Sequence, residues 1–150
     1  MRLHTLFVLA AGLLLAAEAP APRDDATKKD MAKFQGTWTV VEIERNGEKD
    51  PEDRIKDIKL TVNGNKRTLK RGDEVVAQST FKLDASKSPK QIDITLESGD
   101  AKGRTFHGIY EIDGDTQKVC LNLMGDDRPK DFSAKADSGC LLQVFKREKK

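Results

Sequence analysis

Histidine, cysteine and aromatic side chains are all scarce in this chain, and each scarcity removes a class of chemistry. With 2 histidines and 2 cysteines in 150 residues, a histidine-based zinc centre is excluded, and two thiols alone do not complete the usual four-ligand set. His4 falls within the N-terminal residues 1–19, which read as an export signal. His107 has the strand parity of Thr105 and Glu111, opposite Phe106, Tyr110 and Ile112, which reads as a surface position rather than a catalytic base or a ligand. The chain has no Gly-x-Ser-x-Gly elbow and no glycine-rich loop followed by Lys-Ser/Thr to cradle a phosphate. The acidic pairs Asp126-Asp127 and Asp113 with Asp115 lack the ligand count and spacing of a calcium loop and read as hairpin-turn chemistry. No catalytic residue, metal or cofactor is therefore expected, and the chain reads as a non-enzyme.

An excess of one charge is also missing. Lys and Arg number 27 against 25 Asp and Glu, a net charge of +2, and the signs are interspersed rather than collected into blocks. A nucleic-acid footprint would concentrate basic residues on one face, so no nucleic-acid partner is expected. The chain is long enough for one core and too short for two ordinary domains.

The only long apolar run is Leu6 to Ala17, preceded by Arg2. It has the length of a signal-peptide apolar region and falls short of the ~20 residues a membrane span needs. Residues 1–19 are read as an export signal, with cleavage between about Ala17 and Ala21. No cysteine follows the run to carry a lipid, and no stable membrane insertion is expected after cleavage; the destination is periplasmic or extracellular. Residues 20–33, rich in Pro, Ala and charge without a sustained period, read as a flexible tether. Residues 34–150 form the domain.

What is abundant within that domain is short alternating segments separated by turn chemistry. In Gln91–Glu97 the apolar set is Ile92, Ile94 and Leu96; in Ile58–Asn63 it is Ile58, Leu60 and Val62, the period of two of a half-buried strand. Asn63-Gly64-Asn65, Arg71-Gly72-Asp73 and Asp113-Gly114-Asp115 supply hairpin turns. About eight such segments predict an all-β, up-and-down antiparallel barrel, the closure that removes sheet edges. One helical turn is expected over Pro51–Lys56, with Asp50 as its cap and Pro51 at the first helical position.

Gly36-Thr37-Trp38, with the only tryptophan, opens the first segment. The triplet resembles the Gly-x-Trp signature of the lipocalin class, in which the tryptophan plugs one barrel end under a basic residue of the last strand. Arg147 takes that role here, since it shares parity with Leu141 and Phe145. Over roughly 115 residues, "FQGTWTVVEIERNGE", "LDASKSPKQIDIT", "GRTFHGIYEIDGDTQKVCLN", "DRPKDFSAKADSG" and "VFKRE", in that order, resemble an uncharacterised lipocalin-like domain family abundant in planctomycete bacteria. The resemblance implies the barrel and export, and it implies no activity or catalytic residue.

Strand parity supplies further expectations. Val119, Leu121 and Leu123 inward on the seventh strand, and Leu141 and Phe145 inward on the eighth, put Cys120 and Cys140 together on the outer face, where an oxidising compartment would permit a disulfide. Phe81, Leu96, Phe106, Tyr110 and Leu121 have the parity to line an interior site for a small apolar or amphipathic ligand, or equally to fill a core. The alternative function is an interaction or inhibitor module on a packed barrel that presents loops such as Met124 to Gly139. In that loop Phe132 would be a lid, a partner contact or a hydrophobic anchor. The first strand leaves one question open. If Trp38 and Val40 face inward, strict alternation carries Glu42 and Glu44 inward and makes an acidic mouth, unless a bulge near Val40 and Val41 switches faces and brings Ile43 in.

Overall fold

Eight antiparallel strands form the wall in the order their sequence patterns suggest. A computed structural model describes residues 22–149, with side chains from residue 25 onward; the export signal expected over residues 1–19 lies outside the described residues. The wall strands are β1 (Gly36–Arg45), β3 (Ile58–Asn63), β4 (Lys66–Arg71), β5 (Glu74–Asp84), β6 (Gln91–Leu96), β7 (Thr105–Asp113), β8 (Thr116–Asn122) and β9 (Cys140–Arg147). Each pairs with the next, and β1 also pairs with β9, so the sheet closes. This is a lipocalin-like all-β barrel. A two-residue strand β2 (Glu48–Lys49) extends the far end of β1, and two short helices, α1 (Pro22–Phe34) and α2 (Glu52–Ile55), cover opposite ends.

Alternation does in three dimensions what it does in sequence. Ile58, Leu60 and Val62 are buried while their neighbours on β3 are exposed. They join Trp38, Val40, Phe81, Ile92, Ile94, Tyr110, Val119, Leu121 and Phe145 in one core inside the barrel. The first strand resolves its ambiguity by a bulge: Val40 faces Phe145, Glu42 faces Val144, and the register slips by the extra residue Val41. Val41 is 43% exposed and Ile43 6%. Beyond the bulge Ile43 and Arg45 take the inward positions and Glu42 is paired outside with Lys49, so the mouth at this end is not acidic.

The tether expected over residues 20–33 is instead largely the helix α1. Pro22 opens it, a position where its fixed φ and missing N–H cost nothing, and Thr27, Asp30, Met31 and Phe34 fall on one side at helical spacing. That side docks: Phe34 is fully buried, Met31 packs on the core, and Thr27 Oγ1 accepts from the Ala85 amide at 3.1 Å. Half of this docked side is polar, which is why hydrophobic periodicity does not reveal it. The turn expected near Pro51 is present as α2, but its N-cap is Pro51 and no side chain caps it; Asp50 is held by Arg45 at 2.6 Å.

A second, smaller apolar cluster lies outside the barrel wall. Ile109, Cys120, Ala134 and Leu142 are buried there, with Phe132, Cys140 and Val144 packed against them. The long β8–β9 loop therefore folds down over the outer faces of β7, β8 and β9, and Phe132 is its anchor. The two thiols under it are free, which corrects the disulfide expected between them. They share the outer face, but Cys120 stands opposite Leu142 and Cys140 opposite Asn122. That two-residue offset makes them diagonal rather than directly opposed neighbours, and their thiols lie close together without a bond between them.

Candidate functional site

The end of the barrel nearest α1 is closed by the residues of the Gly-Thr-Trp signature. Trp38 is completely buried and its Nε1 donates to the Phe34 carbonyl at 2.9 Å. The Arg147 guanidinium lies 4.2 Å from the Trp38 ring centroid and donates to the carbonyls of Gln35 and Lys33. Gly36 has φ +112, and a Cβ there would sit 3.3 Å from an Arg147 nitrogen. The triplet thus combines a plug, a backbone position open to glycine, and room for the covering arginine.

Phe34 enters the same end from α1. Its ring lies 5.5 Å from Phe81 and 5.3 Å edge-on from Tyr110. Behind it, Asp30 is 3% exposed, accepts from the Tyr110 hydroxyl at 2.8 Å and is paired with Lys90 at 2.7 Å and Lys33 at 3.6 Å. Burial pushes the Asp30 carboxyl up, but hydrogen bonds from Lys90 and Tyr110 and the two lysine charges outweigh it and hold it below the usual range. Burial and the Asp30 charge push the Tyr110 hydroxyl up, so this is a structural clamp between helix and barrel.

Of the five residues with ligand-lining parity, Phe81, Tyr110 and Leu121 are buried in the core, and Leu96 and Phe106 are half-buried. Phe106 lies under the Arg104 guanidinium at 4.8 Å. None of the five lines the pocket at the opposite end, which has a volume of about 640 Å³. That pocket lies between α2 and the ends of β1, β3 and β4. Ile43, Ile55 and Ile58 line it together with Arg45, Arg54, Arg71, Asp50 and Asp53. Asp50 and Arg45 neutralise each other at 2.6 Å. Arg71 reaches only the Arg54 carbonyl at 3.5 Å, and the Arg54 side chain has no partner among the described residues. Two arginines without a carboxylate partner therefore line the pocket together with the three isoleucines, against the single carboxylate of Asp53.

Sequence reasoning missed this mouth, although a signal exists: Leu69 is the only apolar residue of "KRTLKR", and taking it as inward places Arg67 and Arg71 inward with it. His107 behaves as a surface residue with a structural task. It pairs with Asp93 across β6 and β7 at 2.8 Å, and Arg128 from the long loop also meets Asp93 at 2.8 Å. Arg128 donates further to the carbonyls of Ile92 and Gly108, which fastens the loop to the wall. Among the described residues no three His, Cys, Asp or Glu side chains gather around a point where an ion could sit.

In comparisons with known proteins, no family model, no curated protein and no solved structure matches this chain. Fold and site geometry alone define its class: a closed lipocalin-like barrel, plugged at the α1 end and basic at the α2 mouth.

Proposed function

We propose that this chain is an exported, non-enzymatic binding protein of the lipocalin-like domain family it resembles. Its ligand is a small amphipathic molecule with an acidic group, taken at the α2 mouth. The observation that carries this reading is the pocket in which Arg54 and Arg71, without carboxylate partners, border an apolar floor of Ile43, Ile55 and Ile58. A guanidinium fork matches a carboxylate or phosphate in shape and charge, and an apolar floor of this size accommodates the body of a small ligand. The buried core around Phe81, Tyr110 and Leu121 supports placing the ligand at the mouth rather than deep in the barrel.

Calorimetric titration with a medium-chain carboxylate, the amine of equal length and the neutral alcohol tests it. The carboxylate should bind best, and R54A/R71A should weaken it about tenfold or more, the equivalent of one lost charge-assisted contact or greater. Equal binding of amine and carboxylate, or unchanged binding by the double variant, overturns the reading. Export is checked separately, by the N-terminal mass of the protein recovered outside the cytoplasm.

A further inference from the structure

The barrel interior holds a buried guanidinium with nothing to balance it. Arg67 is 4% exposed, and its Nε and one terminal nitrogen are buried without a hydrogen-bond partner. No ion pair reaches it among the described residues. It points into the barrel, because it lies between Val62 and Ser79 in the cross-strand register, and both are buried. Gln117 is fully buried, and neither its amide nitrogen nor its amide oxygen has a partner. It lies between Ile112 and Phe145 on β8, four strands around the eight-stranded wall from β4. Each is the second residue of its strand, and both strands start at the α1 end of the barrel. The two side chains therefore approach the interior from opposite walls, and Ser79 and Gln143 are the other buried polar residues facing inward.

Buried polar groups in folded proteins are nearly always hydrogen-bonded, and buried charges are nearly always compensated. A lone buried guanidinium and, across the same interior, an unsatisfied amide depart from both regularities. Burial lowers the Arg67 pKa to about 10, which still leaves the group charged at neutral pH. We infer that the barrel interior is a binding site for a small monoanion, halide to carboxylate in size, with Arg67 supplying the counter-charge and Gln117 and Ser79 neutral donors. Val62 and Phe145, the cross-strand neighbours of Arg67 and Gln117, belong to the buried core with Leu60 and Phe81, and a filled core sets the size limit. The site is separate from the mouth: none of its residues lines the α2 pocket.

Thermal unfolding of the full chain at constant ionic strength, with chloride, bromide or formate replacing a large excluded anion such as gluconate, reads the site. The midpoint should rise by about 5–10 °C over a hundredfold increase in small anion above its dissociation constant. R67M should lose that dependence while R54A/R71A keeps it, which separates this site from the mouth. Octanoate in a further arm, run in R54A/R71A so that the mouth does not report, distinguishes sources: stabilisation by formate alone supports a free small anion, and equal stabilisation by octanoate overturns the size limit. Stabilisation by octanoate alone, lost in R67M, means that the charge belongs to an amphipathic ligand and overturns the size limit. Bromide anomalous scattering from crystals of the unmodified protein needs no variant. A bromide peak beside Arg67 supports the site; ordered water alone there, or an anion dependence that survives R67M, overturns it.

Discussion

The Arg147 guanidinium lies 4.2 Å from the centroid of the Trp38 ring, and the two residues face each other in the β1–β9 register that closes the barrel. One side chain thereby covers the plug and, through the carbonyls of Gln35 and Lys33, ties α1 to the last strand. A cation over a tryptophan face is worth about 0.5–2 kcal/mol, and each of these charge-assisted but partly solvent-screened hydrogen bonds about 1. R147A should cost about 2.5–4 kcal/mol in a urea titration, and R147K less, since lysine keeps the charge but loses the planar fork. G36A should cost about 1–2 kcal/mol, because alanine disfavours φ +112 and its Cβ presses on Arg147.

The bulge at Val41 makes neighbouring residues respond in opposite ways. I43A empties part of the core and should destabilise by about 2–4 kcal/mol. V41A removes an exposed side chain and should stay within about 0.5 kcal/mol. Equal losses at the two positions, measured as shifts in the unfolding midpoint, would contradict the register slip.

Asp30 links the helix to pH. Its carboxyl titrates below the ordinary range in the folded protein, so the stability it contributes is fully present above the unfolded value near 4 and is lost as pH falls through the lower folded value. Stability should drop in that acidic window, and D30N should flatten the drop. D30A strands the Tyr110 hydroxyl and should cost about 2 kcal/mol at neutral pH. A pH profile of the unfolding midpoint for the three proteins decides the matter.

The two thiols should react unequally. Burial, with the adjacent Cys140 thiol, pushes Cys120 up to about 12, while Cys140 is only half-buried. Since the thiolate is the reactive species, iodoacetamide at pH 8 should label Cys140 in the native protein and reach Cys120 only on unfolding. Peptide mass mapping reads both sites, and faster labelling of Cys120 would contradict the buried outer cluster.

Legibility in sequence followed the strength of the local pattern. Strands such as Ile58–Asn63 and Gln91–Leu96 alternate cleanly, and glycine with Asn or Asp fixes the turns between them, so the wall and its order could be read directly. The helix α1 could not, because its docked side carries Thr27 and Asp30 beside only Met31 and Phe34, and polar docking leaves no hydrophobic period. In β4, Leu69 is the single apolar marker, too little to reveal that Arg67 and Arg71 face inward. Phe81, Tyr110 and Leu121 lie in the core and Phe106 packs against it, but parity cannot tell a packed interior from an open one.

The sequence by itself determined the strand pattern and its antiparallel order, because these depend on local alternation and turn residues; the tryptophan plug and its covering arginine followed from the resemblance of Gly36-Thr37-Trp38 to the lipocalin signature, with parity selecting Arg147. The tertiary structure alone decided which residues stand opposite each other. The slip at Val41 turns Ile43 and Arg45 inward, the β8–β9 register sets Cys120 against Leu142 rather than Cys140, and barrel closure brings Arg67 and Gln117 to opposite sides of one interior. Register is a property of two paired segments at once, so no single segment encodes it, and the two candidate binding sites depend on it.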